Sequence, residues 1–575
     1  MRFVLAIVAF VVAALMIGFG VAQRTILAEP DRVTLSTTVD SDATVTVIDG
    51  ATLNAFEGSQ TLTVSGSGEV FAAYGRTSDV LAWIGDTTYT AVSRDPETGE
   101  LVSETVTGTE TEVPDPNGSD LWLDDYVKDE DLTLTVNVPD NISFLIASDG
   151  VEPAPADIAI AWPIDNSTPW AGPLIVGGAI VLLVGIGFLI WAIHHMRSTR
   201  GPRRKMPKVP KKPVYKPARK PVESAASGRR RGMIAVPIAL VSLLALSGCS
   251  PEFWPGGGTG PTPEPSASVP AGSELKPPAV TVRQVERIVA RISAVTAEAD
   301  ANRDAELLKT RFDGPALELR LANYTIRGLD PAAAALPAIP EGPVRLTLPQ
   351  QTDTWPRTVL AVIQDDKDAT IPPVALILEQ PDPRSDYKVT YAITLEASAV
   401  LPDVAPASVG AARLPADTGL LSTAPSALAE AYGEILMEDV DADSYLDFEA
   451  EGDTLRTSVG LDAKNQLRGS LPTTASMAFT NGPGPGDTIA LATNDAGAIV
   501  AVNLLEATTV TPVEAGAAIN PTGQVKTLSG IAVSQKGVVA TYSDQLLFYV
   551  PPAGSDGKII LLGYSTGLVT ATEIG

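Results

Sequence analysis

The 575-residue sequence holds few residues able to do acid–base or nucleophilic chemistry together. Its two histidines, His194 and His195, are adjacent, and its only cysteine is Cys249. A single cysteine forms no intrachain disulfide and no cysteine-rich metal site. A Ser-His-Asp triad, a Cys-His dyad or a His-based metal site needs a histidine in the domain that carries its partners. The long segments before and after the pair contain none. Gly563-Tyr564-Ser565-Thr566-Gly567 has the letters of a nucleophile elbow and follows strand-like residues 558–562. An elbow opens a helix and has a histidine downstream. Here eight residues remain, none is His, and residues 568–571 have strand character. A glycine turn between the last two strands is expected.

Carboxylates are the remaining chemistry. Asp439, Asp441, Asp443 and Asp447 occupy positions 1, 3, 5 and 9 of a calcium-loop pattern. Ser444 stands where that loop needs Gly, and Ala450 where it needs a bidentate Glu. Asp439, Asp441 and Asp443 are therefore weak metal candidates, and an acidic solvated loop is expected. Asp441-Ala442-Asp443 also has the D-x-D form of many glycosyltransferases, three letters in all. A glycosidase needs two carboxylates at a set separation, and nothing selects a pair. No catalytic residue, metal or cofactor is assigned.

The elements around these residues are set first by hydrophobicity and charge. At roughly 150 residues per domain the length suggests three to four domains. Residues 197–231 carry 14 Lys/Arg and one acid, a net +13; the rest carries 27 basic and 67 acidic residues, a net −40. So acidic a body excludes nucleic acid as a partner, because such affinity rests on phosphate neutralisation. Residues 3–22 and 170–193 are free of charge and long enough to span a hydrocarbon core. The first has the length of an anchor, with a cleaved signal peptide as the alternative. The second has Trp170 and Trp191 near its ends and a basic flank. The positive-inside rule places the +13 loop in the cytoplasm and residues 24–168 and 250–575 outside. That loop is Pro-rich, extended and suited to anionic lipid headgroups.

A third apolar segment, residues 233–247, follows Arg229-Arg230-Arg231 and ends in Leu246-Ser247-Gly248-Cys249. A basic region, a short apolar run and small residues before a Cys resemble a bacterial lipoprotein signal. The resemblance implies lipidation of Cys249, with Leu246, Ser247 and Gly248 completing the lipobox. It departs from the pattern in lying mid-chain. The alternative is a short transmembrane helix with an incidental Cys.

Residues 31–165 alternate apolar and polar residues in short Val/Thr-rich runs (43–48, 61–64, 80–84, 132–138) closed by turn signals. This spacing predicts an all-β, sandwich-like outer domain. Trp83, Trp122 and Trp162 are expected in its core or rim; a sugar-stacking face is the alternative.

The C-terminal part starts with a capping box, Thr281 to Gln284. Val282, Val285, Ile288, Val289, Ile292 and Val295 then recur at helical spacing. Asn302 and Asp313 are candidate caps for two further helices. Strands are predicted over 344–348, 358–363, 374–378 and 387–395. Helices at 425–437 and 454–467 follow, then strands near 477, 488–492, 499–505, 525–533, 538–542 and 559–562. Helices then antiparallel strands, twice over, predict a tandem α+β region. The layout resembles the cystatin-like or NTF2-like cone, which implies no function.

The expected organisation is a transmembrane or signal-anchor helix (1–23), an extracytoplasmic β domain (24–168), a second span (169–194), a cytoplasmic loop (195–232), a lipoprotein-signal-like segment (233–249), a tether (250–279) and two α+β layers (280–410 and 411–575). On the Leu246 to Cys249 motif and the tether behind it, the chain resembles uncharacterised actinobacterial, high-GC Gram-positive envelope proteins. In these a two-span membrane protein joins a lipoprotein-like domain of unknown function. The resulting expectation is a membrane-anchored extracytoplasmic binding or scaffolding protein of the cell envelope. Its expected partners are the lipid bilayer and an envelope protein or glycan. The alternative is an enzyme of envelope glycan metabolism working through carboxylates.

Overall fold

The computed structural model describes residues 2–27, 30–164, 169–198, 276–365 and 370–575. The expected segment 233–249, with Leu246, Ser247, Gly248 and Cys249, lies outside the described residues, as do most of the basic loop and of the tether. The chain divides into two compact units. One comprises Met1–Thr34, Glu57–Ser59 and Ala161–Pro270; the other comprises Leu35–Phe56, Gln60–Ile160 and Ala271–Gly575.

Chain order begins α1 (Arg2–Thr25), β1 (Arg32–Thr38), β2 (Val45–Ile48), α2 (Gly50–Leu53), β3 (Gln60–Arg76), α3 (Thr77–Ile84), β4 (Tyr89–Arg94) and β5 (Leu101–Val106). It continues β6 (Asp124–Val136), β7 (Ile142–Ala147), β8 (Asp157–Pro163) and α4 (Ala171–Ser198).

In the first unit α1 and α4 pack together. Both are long and apolar enough to cross a membrane. Their contact is made by small residues at a spacing of seven. Ala6, Ala13 and Gly20 are buried on α1, and Ala171, Gly178, Gly185 and Ala192 on α4. A spacing of seven keeps one stripe facing a partner along both helices, and small side chains let the backbones approach. A methyl group on Gly178 would lie 2.6 Å from Ile17, and one on Gly185 3.0 Å from Phe10. The large side chains, among them Leu15, Phe19, Ile180 and Ile190, point outward and are exposed.

The second unit opens with the sheet-rich part that was expected. Its eight strands hydrogen-bond into one sheet, in the order β1-β8-β3-β7-β2-β4-β5, with β6 on β3. A register shift between Ser65 and Glu69 interrupts the β3–β6 ladder, and β7 pairs with Phe71 to Arg76 only. Trp83, Trp122 and Trp162 are fully buried, so these three are core and form no sugar-stacking face. The Trp83 and Trp122 rings lie 5.2 Å apart, and Trp122 Nε1 donates to the Pro116 carbonyl. The strand expected over 80–84 is instead the helix α3, with Val80, Trp83 and Ile84 buried.

The C-terminal part contributes α5 (Val282–Asn302), α6 (Ala305–Lys309), α7 (Gly314–Leu329), β9 (Val344–Pro349), β10 (Arg357–Ile363), β11 (Val374–Gln380), β12 (Lys388–Leu395) and β13 (Arg413–Leu414). Then come α8 (Leu428–Glu438), α9 (Thr454–Val459), α10 (Leu461–Ser470), β14 (Ala475–Pro483), β15 (Ile489–Ala492), β16 (Ala498–Pro512), α11 (Gly523–Ser529), β17 (Val538–Val550) and β18 (Ile560–Glu573). The capping box forms: the Thr281 hydroxyl accepts from the Gln284 amide, and Gln284 Oε1 accepts from the Thr281 amide at 2.9 Å. Asp313 caps α7, whereas Asp304, and not Asn302, caps α6. The strand expected over 525–533 is replaced by the short helix α11 and the loop after it.

The expected order of helices then strands occurs twice, and the strands of both halves join in one ten-stranded antiparallel sheet. Its order is β13-β15-β16-β17-β18-β12-β11-β10-β9, with β14 on β16. Alternation along the strands gives each half two apolar faces. Val359, Ala361, Leu376 and Val389 pack under α5 and α7. Val500, Val502, Leu546 and Phe548 pack under α8. The opposite faces meet each other: Leu360, Ile377, Tyr391 and Ile393 share a core with Ile489, Ile499, Ala501 and Leu547. The result is four layers, with helices on both outsides and two sheet faces between them.

Arginines of the C-terminal part bind the N-terminal sheet domain inside this unit. Asp120, with no exposed side-chain surface, receives Arg311 Nη1, Arg291 Nη1 at 3.2 Å and the Tyr387 amide at 3.0 Å. Arg357, 1% exposed, makes a two-pronged pair with Asp79 at 2.6 and 3.2 Å. Arg384 donates to the Trp83 and Ile84 carbonyls at the end of α3. Arg287 and Gln284 on α5 donate to the carbonyls of residues 121–123. Removing one partner of a buried pair strands the other charge and costs about 3–5 kcal/mol. Asp120→Ala is therefore expected to lower the stability of the second unit by that amount in urea unfolding followed by tryptophan fluorescence. Lys558→Ala, which removes an exposed pair with Glu449, is expected to change it by less than about 1 kcal/mol. Equal effects would show that the Asp120 cluster holds nothing together.

Candidate functional site

The helix-side face of β14, β16, β17 and β18 changes character along its length. At the α8 end it is closed apolar core. Cross-strand register then brings Leu504, Asp544 and Thr566 into one row, and Asn481, Glu506, Tyr542 and Leu568 into the next. Beyond these the face carries Met477, Thr508, Val510, Val538 and Ala540.

The middle rows hold a buried ionic cluster. Lys464 on α10 is only 4% exposed; its Nζ lies 2.7 Å from Glu506 Oε1 and also donates to the Val459 carbonyl. Asp544 lies on the same face, and its Oδ2 has no partner among the described residues. Burial pushes its carboxyl up to about 7, helped by the nearby Glu506 charge and opposed by Thr566 and Lys464. A buried carboxyl with a missing partner and a raised affinity for its proton is a feature of functional sites as well as of structural clusters.

Past the cluster lies an open cleft of about 590 Å³. Strands β14, β16 and β17 form its floor. Leu467 and Leu471, the loop 518–522 and Val525 of α11 form its walls. None of the residues that line it is charged. A smaller cleft of about 160 Å³ shares Leu467, Thr508 and Tyr542 with it and is lined by Lys464 and Glu506. The apolar cleft thus runs up to the ionic cluster. Its size is that of small-molecule sites, which are mostly apolar with a few placed polar groups.

A third cleft, about 420 Å³, lies where β12 meets β18 beneath α7. Gly563-Tyr564-Ser565-Thr566-Gly567 falls here, and it is no turn: the segment is the middle of the continuous strand β18. β12 and β18 pair through two residue pairs only, Thr394 with Tyr564 and Leu395 with Gly563. A methyl group on Gly563 would lie 2.5 Å from the Thr394 carbonyl oxygen, so the join needs glycine. Ser565 Oγ accepts from the Thr394 amide at 3.2 Å, so its side chain serves the join between the two strands. Glu396 accepts from the Thr454 amide and hydroxyl, and Tyr564 OH lies 3.1 Å from that hydroxyl.

The Asp run is spread over two single-turn helices, Asp439–Asp441 and Tyr445–Asp447. Asp439 accepts from Arg456 Nη2 at 2.6 Å, while Asp441 and Asp443 are exposed. No group of three His, Cys, Asp or Glu side chains among the described residues is arranged to hold a metal ion. The ionic cluster and its cleft were not visible in the sequence. Lys464, Glu506 and Asp544 come from a helix and two strands, and only the alternation of β16 and β17 hints that two acids share a face.

The cluster makes the stability of the second unit depend on pH. The Asp544 carboxyl is held near 7 in the folded chain and near its ordinary 3.8 when unfolded. Below that ordinary value both forms are protonated and the contribution to stability is complete. As pH rises toward 7 the unfolded chain releases a proton that the folded chain keeps, so stability falls. Three pH units correspond to on the order of 4 kcal/mol. Asp544→Asn is expected to be more stable than wild type at pH 8 and equal to it near pH 4. Parallel pH–stability curves for the two proteins would contradict this.

No curated protein matches the chain, and no solved structure does. One family model matches, described as Domain of unknown function (DUF8094), over residues 276–573. That span takes in α5 to α11, β9 to β18 and all three clefts, more than half of the sequence; the chain belongs to the DUF8094 family.

Proposed function

We propose that the chain is a membrane-anchored binding protein of the cell envelope, with residues 24–168 and 250–575 outside and its ligand held in the cleft beside Lys464 and Glu506. The observation that carries this reading is the inverted packing of α1 and α4. Small residues are buried between them and large apolar ones are exposed. In water that arrangement is unfavourable; between lipid chains it costs nothing, because helices there associate through close packing. The +13 loop supports the orientation and an attraction to anionic headgroups. An envelope protein or glycan is the proposed external partner, and nucleic acid is not.

Engineered cysteines test the orientation. In a Cys249→Ala background, Ser67→Cys and Ser555→Cys, both at exposed positions, are expected to react with an impermeant maleimide in intact cells. Ser224→Cys is expected to react only after lysis. Labelling of Ser224→Cys in intact cells would reject the orientation.

Cys249 tests the lipobox. We infer that it is acylated and the chain cut after Gly248, since Arg229 to Arg231, the apolar run and Leu246-Ser247-Gly248-Cys249 make up a complete signal. Two acyl chains would hold residues 249–575 at the outer leaflet. Immunoblots against each half are expected to show two products in wild type and one in Cys249→Ala. A single full-length band in both would make residues 233–247 a plain third span.

A further inference from the structure

The cleft beside Lys464 has a lining that selects by class. It offers no charged group to a ligand, and Thr474, Thr508, Asn520, Thr522 and Tyr542 are the polar members of an otherwise apolar lining, so it favours an uncharged, mainly apolar ligand portion. Its volume, about 590 Å³, equals that of about twenty groups of the size of a liquid water molecule. A methylene is of similar size. The cleft therefore has room for one long hydrocarbon chain. The mouth continues the apolar character: Leu467 is 50% exposed, and Val513 and Val533, on the segments after β16 and α11, are exposed as well.

Charge around this lining runs against that of the chain, which carries −27 overall. Arg468 follows Leu467, Lys526 follows Val525, and Lys536 stands two residues before Val538; all three are exposed. Arg468 lies over the Phe479 ring and donates to Asn465. Lys526 and Lys536 make no ion pair among the described residues. The acids nearby are Glu514, which is exposed, Glu573, which accepts a hydrogen bond from Ser534, and at the inner end Glu506, paired with Lys464, and the buried Asp544. An apolar slot for one chain, bordered by two uncommitted ammonium groups, complements a single-chain amphiphile with an anionic head.

We propose that this cleft binds one long-chain fatty carboxylate. The hydrocarbon chain lies over Met477, Val510 and Val538, and the carboxylate stays at the mouth near Lys526 and Lys536. The inference rests on the reading of the chain as a membrane-anchored binding protein and names the ligand class of its cleft.

The test uses the full chain in phosphatidylglycerol nanodiscs with a diazirine-bearing palmitate, followed by photolysis and peptide mapping. Crosslinks are expected on the strands holding Met477, Val510 and Val538, and separately on α1 and α4, which face the bilayer. Thr508→Trp, which fills the floor, is expected to cut the cleft crosslinks at least tenfold and leave those on α1 and α4 unchanged. Thr508→Val is expected to label like wild type. The double variant Lys526→Glu, Lys536→Glu is expected to weaken cleft labelling about tenfold, and the methyl ester of the probe is expected to be indifferent to it. Crosslinks on α1 and α4 with none in the cleft would overturn this inference and leave the anchoring reading standing. Crosslinks in the cleft with none on α1 and α4 would do the reverse. Equal cleft labelling of wild type and a Thr508→Trp chain of unchanged melting temperature would also overturn it.

Discussion

The second unit depends on a carboxylate it has taken out of water. Asp120 has no exposed side-chain surface, and its charge is tolerated because Arg311, Arg291 and the Tyr387 amide surround it. Each of those groups belongs to the DUF8094 part of the chain. Desolvating an unpaired carboxylate costs several kcal/mol, so the N-terminal sheet domain cannot keep its own interior loop buried unless the C-terminal helices are docked. The dependence runs the other way as well. Arg311 is 8% exposed at its side chain, and without Asp120 it would be the stranded charge. Asp386, which pairs with Arg311 at 3.1 Å, has its carboxyl pushed up by burial and by the neighbouring Asp120 charge. The two parts therefore fold as one body.

This dependence explains which elements were legible in the sequence. Helix α5 was, because its capping box and its apolar stripe are local signals; of the six stripe residues Val285, Ile288, Val289 and Ile292 are buried, while Val295 is half-buried and Val282, in the first turn, is exposed. Strands β9 to β12 were found to within two residues for the same reason. Helix α3 was not. Its eight residues form a short apolar run that periodicity cannot assign to helix or strand, and a helix of that length has little stability alone. Arg357 on Asp79 in its first turn and Arg384 on its last carbonyls hold it. Those partners lie 278 and 301 residues away in the chain. Residues 525–533 failed similarly: α11 is seven residues long, and Val525 and Leu528 become apolar contacts only once Ile326 and Leu568 lie beside them.

The same limit applies to the sites. The letters that looked like chemistry, Gly563 to Gly567, serve the seam between β12 and β18, where glycine is needed for backbone approach and serine for one sheet hydrogen bond. The residues that line or border the cleft carry no local motif. Lys464, Glu506 and Asp544 are ordinary charged residues until β16 and β17 pair and α10 crosses them. A sequence reveals a site early when chemistry demands a fixed spacing along the chain. It hides one when the spacing is set across a sheet.

The two units bury opposite classes of side chain. In the second unit large apolar side chains such as Trp83, Trp122, Phe144 and Phe548 are fully buried, as the hydrophobic effect in water requires. In the first the buried positions of α1 and α4 are Ala and Gly, while Leu15, Phe19, Ile180 and Ile190 face out. An aqueous protein gains nothing by this exchange, since each large apolar side chain left exposed forgoes about 1.5–3 kcal/mol. Surrounded by hydrocarbon, the outward side chains lose nothing, and the small inward residues gain backbone contact along the whole pair. The inversion is written in the sequence as two runs of small residues seven apart, 6-13-20 and 171-178-185-192. It becomes an argument about the surroundings of the helices only when the structure shows that the two stripes face each other.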